Sequence, residues 1–276
     1  MSGMVWLNGR LLPVAEATVP ITDHGLTVGD GVFETTKVVH GVPFARTRHL
    51  ARLHDSARAI GLPLPPDDYL RAAIDAVCAT VTDAPLARLR LTVTAGPGPA
   101  GSARGEGPPT VWASATPTSP PNGPETAIVV PWRRNEHGAL TGVKTTSYAE
   151  NVVALAAARA AGVGEALLAN TAGELCEGTG TNVFLVINDV LVTPPLSSGC
   201  LAGVTRELVC EIVAVEERSE PLGALADASE AFLTSSTRDV MPIASVDGAA
   251  LPACPGPKSQ EAAKAFGALR ASTLDP

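Results

Sequence analysis

The first third of the chain alternates between two apolar periods. Val5-Trp6-Leu7, then Asn8-Gly9, then Leu11-Leu12 reads as a β-hairpin, because Asn-Gly tolerates the positive φ that a two-residue turn requires. Residues 32–39, followed by His40-Gly41 and Val42-Pro43-Phe44, predict a second hairpin. The period then changes. Leu50, Leu53, Ala57 and Ile60 recur at helical spacing over 48–60, with Thr47 placed to cap the helix and Gly61 to stop it. A further helix is expected over 67–80. Over 86–94 the alternation is strict: Leu89, Leu91 and Val93 on one side, Arg88, Arg90, Thr92 and Thr94 on the other. That pattern predicts a strand with one core face and one polar face.

The run Thr116-Pro117-Thr118-Ser119-Pro120-Pro121-Asn122-Gly123-Pro124 cannot sustain regular hydrogen bonding. It divides the chain into an N-terminal domain over 1–116, a linker over 117–125 and a C-terminal domain over 126–276. Beyond it the pattern predicts strands over 127–131, 165–169, 183–187, 190–192 and 231–234. An Ala-rich helix is expected over 148–161, another after Gly203-Val204-Thr205, and a polar one at the C-terminus. The strands and helices do not repeat as βαβ units, so the fold class is a mixed α+β (α/β) arrangement in two domains.

Composition narrows the function. With 276 residues, 45% hydrophobic and 17% charged, the chain can bury a large core. A net charge of -8 without any basic run excludes nucleic acid as the main partner. No signal-peptide layout is present and the longest apolar tract, 152–163, is short and broken by Arg159, so no membrane role and a cytoplasmic setting are expected. Five cysteines without paired spacing fit reduced thiols, with neither disulfides nor a metal site.

Among 4 lysines and 16 arginines, Lys144 stands apart, flanked by Gly142-Val143 and by Thr145-Thr146-Ser147-Tyr148 just before an apolar helix. Partial desolvation there would make it a nucleophile for carbonyl carbon, although an ordinary loop-edge lysine fits the same local context. Lys37, Lys258 and Lys264 read as solvated charges. His49 and His54 are five apart on the helix, point to different faces and read as surface or boundary residues. Gly96-Pro97-Gly98-Pro99-Ala100-Gly101 continues as loop, not helix, and so is no dinucleotide fingerprint. Three stretches suit an anion: Gly203-Val204-Thr205 opening a helix, Thr234-Ser235-Ser236-Thr237 after a strand, and Arg52 as a fixed cation. Singly, each also fits a helix cap, a turn or a solvated arginine. Glu177, amid glycines, suits a protonated pyridine nitrogen, or is an ordinary loop carboxylate. Taken together with Lys144, these are the requirements of pyridoxal phosphate.

The motifs resemble those of the class IV, or fold type IV, pyridoxal-phosphate enzymes over nearly the whole chain. Residues 23–34, the helix segment 49–57, Gly142-Val143-Lys144, residues 177–184, Leu201-Ala202-Gly203-Val204-Thr205-Arg206 and Thr234-Ser235-Ser236-Thr237 carry the resemblance in order. It implies two α/β domains with the cofactor in the interdomain cleft, in a homodimer. Lys144 would be the Schiff-base lysine and proton shuttle, and Glu177 would hold the ring nitrogen. Arg52, Val204, Thr205, Ser235 and Ser236 would hold the phosphate. Phe33, Arg90 and the 96–107 loop with Arg104 are the candidates for binding substrate. Typical D-amino-acid enzymes of the family place a tyrosine at the Phe33 position and an Arg-x-His pair after the Arg90 strand; Thr94-Ala95-Gly96-Pro97 lacks the pair. Arg90, or Arg104 swinging in from its loop, is therefore expected to take the carboxylate. The expected reaction is transfer of an amino group from D-amino acids, and some (R)-amines, to a 2-oxo acid. The alternatives are 4-amino-4-deoxychorismate lyase and branched-chain L-amino-acid aminotransferase.

Overall fold

The computed structural model describes residues 3–276, which divide into two compact units. Unit 1 runs to Pro120 and also takes in Val143–Tyr148 and Leu274–Pro276; unit 2 is made of Pro121–Gly142 and Ala149–Thr273. The Lys144 segment, which follows the Pro-rich run in sequence, is thus part of the first unit. Regular backbone ceases after Pro117 and resumes at Glu125, because prolines there cannot donate to a sheet ladder.

Unit 1 is built from β1 (Met4–Leu7), β2 (Arg10–Pro13), α1 (His24–Thr27), β3 (Gly31–Val39), β4 (Val42–Pro43), α2 (Arg46–Ala59), α3 (Asp67–Cys78), β5 (Leu86–Thr94) and β6 (Thr110–Pro117). Its six strands form an antiparallel sheet in the order β2-β1-β6-β5-β3-β4. Leu50, Leu53 and Ala57 of α2 and Leu70, Ile74 and Val77 of α3 pack on Val32, Val38, Leu89, Leu91 and Val93. The alternation of β5 therefore does face a core. Its other side is not simply polar surface, since Thr92 and Thr94 are buried and Thr94 donates to Asp23.

Three further expectations change here. Thr47 does not cap α2: the helix starts at Arg46 after Ala45, whose φ of 52° is left-handed, and both Thr47 donors go to the Asp275 carboxylate. Lys37 is buried on β3 instead of solvated, and His49 is buried on α2. Strand and helix periodicity alone does not report which of these positions the fold closes off from water.

Unit 2 contains β7 (Glu125–Arg134), α4 (Ala149–Ala160), β8 (Glu165–Asn170), β9 (Leu175–Gly178), β10 (Asn182–Ile187), β11 (Val190–Thr193), α5 (Val204–Ile212), β12 (Glu216–Glu217), β13 (Glu230–Ser235), β14 (Asp239–Val246), β15 (Ala249–Ala250) and α6 (Pro257–Ser272). Its mixed sheet runs β12-β11-β10-β13-β14-β7-β8-β9, with β15 on β14. The pairs β7–β8, β7–β14 and β11–β12 are parallel. Leu167, Val183, Leu185, Leu233 and Ile243 fill one core, and Ala154 and Ala158 of α4 close on Val130, Ala166 and Leu168. Small residues on α4 let the helix approach the sheet closely.

Candidate functional site

In unit 1 the Lys144 segment is stitched to the start of β3. The Lys144 carbonyl accepts from Phe33 N at 3.0 Å, Thr146 N donates to Gly31 O at 2.8 Å, and the Lys144 N–H reaches Ser56 Oγ on α2 at 3.2 Å. Hydroxyls of Thr145, Thr146 and Ser147 donate to carbonyls of Gly29 and Gly31. The small polar residues around the lysine are thus its anchors. They leave Lys144 buried, with Nζ 4.4 Å from the Phe33 ring centroid and 5.9 Å from that of Tyr148.

Sheet alternation explains what meets it there. Phe33 pairs with Thr92 and Thr35 with Arg90 across β3 and β5, so Phe33, Arg90 and Thr92 share the face opposite α2. The Arg90 guanidinium carbon lies 3.8 Å from the Phe33 centroid and 5.6 Å from that of Trp112, and Nε donates to Thr92 Oγ1 at 3.2 Å. Burial lowers the Arg90 pKa; Tyr148 opposes that shift and the Arg88 charge adds to it. Stacking of a weakly hydrated guanidinium on rings keeps its remaining donors in a fixed plane.

On the other face, Glu34 points at α2. Arg52 grips its carboxylate with Nε at 2.8 Å and a terminal nitrogen at 2.6 Å, and His49 Nδ1 lies 2.7 Å from Glu34 Oε2. Burial would raise the Glu34 pKa, but the Arg52 charge and hydrogen bonds, with His49, hold it at about 2. Burial also pushes the His49 pKa down, against Glu34 and with help from the Arg52 and Lys144 charges. The neutral ring must then carry its proton on Nδ1, donating to the ionised Glu34. Arg52 is therefore an oriented cation, and the sequence reading missed both partners that orient it. Arg104 is committed to Asp30 through two bonds of 2.6 and 2.7 Å and to the carbonyls of Ile60 and Gly61. It is anchored in this structure; it is not a free arm of its loop.

Unit 2 gathers the other candidates around Asn182. Its Nδ2 donates to Leu201 O at 2.8 Å, it pairs with Thr234 across β10 and β13, and a Cβ on Gly203 would collide with its Oδ1. Gly203 is thus required for α5 to start where it does. Val204 and Thr205 form the buried first turn of α5, which no side chain caps, so its amides and dipole suit an anion. Thr234 Oγ1 is buried without a hydrogen bond among the described residues, next to Ser235 at the strand end. Glu177 is held by Arg134 Nε and by Leu201 N, each at 3.0 Å. Uncapped amides, an orphaned hydroxyl and a fixed carboxylate fit a phosphate and a protonated heterocycle; the sequence did not signal Arg134 as the partner of Glu177.

Comparison with known proteins agrees with this chemistry. The profile of the Amino-transferase class IV family matches residues 31–246. A protein of Methanocaldococcus jannaschii, provisionally named a branched-chain-amino-acid aminotransferase, is 36% identical over 255 residues, covering 88% of each chain. The D-alanine aminotransferase of Bacillus licheniformis is 32% identical over 270 residues, covering 92% of each. Among solved structures, the branched-chain aminotransferase of Thermoproteus uzoniensis with norvaline superposes with a TM-score of 0.87 at 32% identity, covering 97% of this chain and 94% of that one.

The Glu34 pKa makes a prediction. Depressed from 4.5 to about 2, it contributes stability that is complete above about pH 4.5 and is lost as pH falls towards 2. In thermal melts across that window, Glu34→Gln is expected to be less stable than wild type at neutral pH and to converge with it in acid. A pH-independent gap would remove the ionised pair as its cause.

Proposed function

Because the chain belongs to the class IV aminotransferases, which depend on pyridoxal phosphate, we propose that it transfers the amino group of D-amino acids to a 2-oxo acid and also accepts (R)-primary amines. The observation that carries this reading is Arg90, a half-buried cation stacked on the ring that Lys144 Nζ also approaches. A carboxylate-bearing donor needs such a charge near the reacting amine, and a planar fork meets a carboxylate with two bonds. Phe33, Trp112 and Tyr148 surround the two cations with aromatic surface, which suits apolar substituents on donors lacking a carboxylate. Similarity to the D-alanine aminotransferase supports the D hand. A second reading, transamination of branched-chain L-amino acids, is favoured by the names of the archaeal relatives.

When bound, pyridoxal phosphate supplies an aldehyde that condenses with amines and a ring that accepts the electron pair left by proton loss. The residues that would hold its phosphate are Arg52 in unit 1, by charge, and in unit 2 Val204 and Thr205, by first-turn amides, and Ser235 and Ser236, by hydroxyls. Glu177, fixed by Arg134 and Leu201, would keep a proton on the ring nitrogen. Lys144 would hold the aldehyde carbon through Nζ and, when displaced by the incoming amine, would serve as the base for the proton at the substrate α-carbon. Burial against Phe33 leaves little water around that nitrogen. A homodimer in the cytoplasm completes the proposal.

Three measurements test it. Borohydride reduction of the loaded enzyme followed by peptide mapping is expected to place the pyridoxyl group on Lys144; a label on Lys37 would reassign the site. With 2-oxoglutarate as acceptor, D-alanine and (R)-1-phenylethylamine are expected to react and L-leucine to be poor, whereas the reverse order would establish the branched-chain reading. Arg90→Ala is expected to raise KM for D-alanine by about tenfold or more and that for (R)-1-phenylethylamine by less than about twofold, as the loss of one charge-assisted bidentate contact implies. Equal effects on the two donors would take Arg90 out of carboxylate binding.

A further inference from the structure

Glu165 is nearly inaccessible, at 1% exposure, at the start of β8. It lies beneath two of the segments assigned to the cofactor. Oε1 accepts from Thr179 N at 3.0 Å, from the Thr179 hydroxyl and from Ala166 N at 3.1 Å; Oε2 accepts from Thr181 Oγ1 at 3.2 Å and from Arg238 at 2.9 Å. Thr179 and Thr181 form the turn that joins Glu177 to Asn182, and Asn151 on α4 secures the same turn through the Thr179 carbonyl. Arg238 ends the Ser235-Ser236-Thr237 turn, its own N–H donating to Ser235 Oγ at 3.2 Å. Its second carboxylate, Glu125, is more distant at 3.8 Å. One buried carboxylate therefore ties the glutamate turn and the serine turn together, with Arg238 as the link to the latter.

We propose that Glu165 and Arg238 are positioning residues for phosphate binding: the ion pair sets the conformation of the serine turn, and Arg238 N orients the Ser235 hydroxyl by occupying one of its lone pairs. With Ser235 Oγ accepting from Arg238, its proton is directed elsewhere, towards an acceptor such as a phosphate oxygen. The inference rests on the assignment of Ser235 as a phosphate ligand, and it makes a prediction that simple structural support would not. Disturbing the turn should weaken binding of the phosphorylated cofactor while sparing pyridoxal, which has the same ring and aldehyde and no phosphate.

The test is equilibrium dialysis of the apoenzyme against pyridoxal phosphate and against pyridoxal, alongside thermal melts of each apo variant. Arg238→Gln and Ser235→Ala are each expected to weaken pyridoxal phosphate binding on the order of tenfold and pyridoxal binding by less than about twofold, the size expected for one hydrogen bond to a charged group. Arg238→Lys should recover part of the loss. Glu165→Gln should show the same selectivity, and adding Arg238→Gln to it should cost little more, since both act through one link. If Arg238→Gln and Arg238→Lys weaken both ligands equally, or neither, while Ser235→Ala remains selective, the positioning role is wrong and the phosphate assignment survives. If Ser235→Ala itself is not selective, the assignment beneath the inference fails with it.

Discussion

A carboxylate removed from water has to be met by donors, because an unmet one costs several kcal/mol. In this protein Glu34, Glu165 and Glu177 draw theirs from the segments proposed to carry the chemistry. Glu34 pulls Arg52 and His49 of α2 onto β3; Glu177 ties the end of β7 to the chain leading into α5; Glu165 ties the glycine-rich turn to the serine turn. Each carboxylate has one arginine and at least one other donor. The charges thereby orient one another, and the loops between them gain a defined shape that their own composition would not enforce.

Backbone economy does the complementary work in unit 1. Thr145, Thr146 and Ser147 spend their hydroxyls on Gly29 and Gly31, so the lysine beside them is presented by an extended segment with little freedom of its own. Strand alternation then separates the tasks of β3. Glu34 orients the Arg52 cation on the α2 side, while Phe33 faces Arg90 and Lys144 on the other. A one-residue slip in register would exchange the two sets, which makes the β3–β5 pairing as consequential for chemistry as any single side chain.

The elements with strong periodicity were legible from their residues. The hairpins at Asn8-Gly9 and His40-Gly41, the strand Leu86–Thr94 and the helix Val204–Ile212 lie where their apolar spacing and turn residues put them. Legibility failed where a distant residue supplied the deciding contact. Thr47 looked like a helix cap, yet Asp275, far along the chain, takes its donors. His49 and Lys37 looked solvated because local pattern does not report that the other side of a sheet or helix is covered. β9 and β14 carry too little alternation to stand out, and they form by pairing with strands already in place.

By itself, the sequence determined the class of fold and, through the motifs that carry its resemblance, the family and its cofactor, because these depend on local periodicity and on short motifs whose spacing is written along the chain. Only the tertiary structure decided that Arg52 is locked to Glu34, that Arg104 is anchored to Asp30, that Arg90 shares the Phe33 ring with Lys144, and that Glu165 joins two turns. The physical reason is range. Hydrogen bonds and ion pairs act over a few ångströms in space, and the residues they join here are separated by as many as 228 positions in the chain.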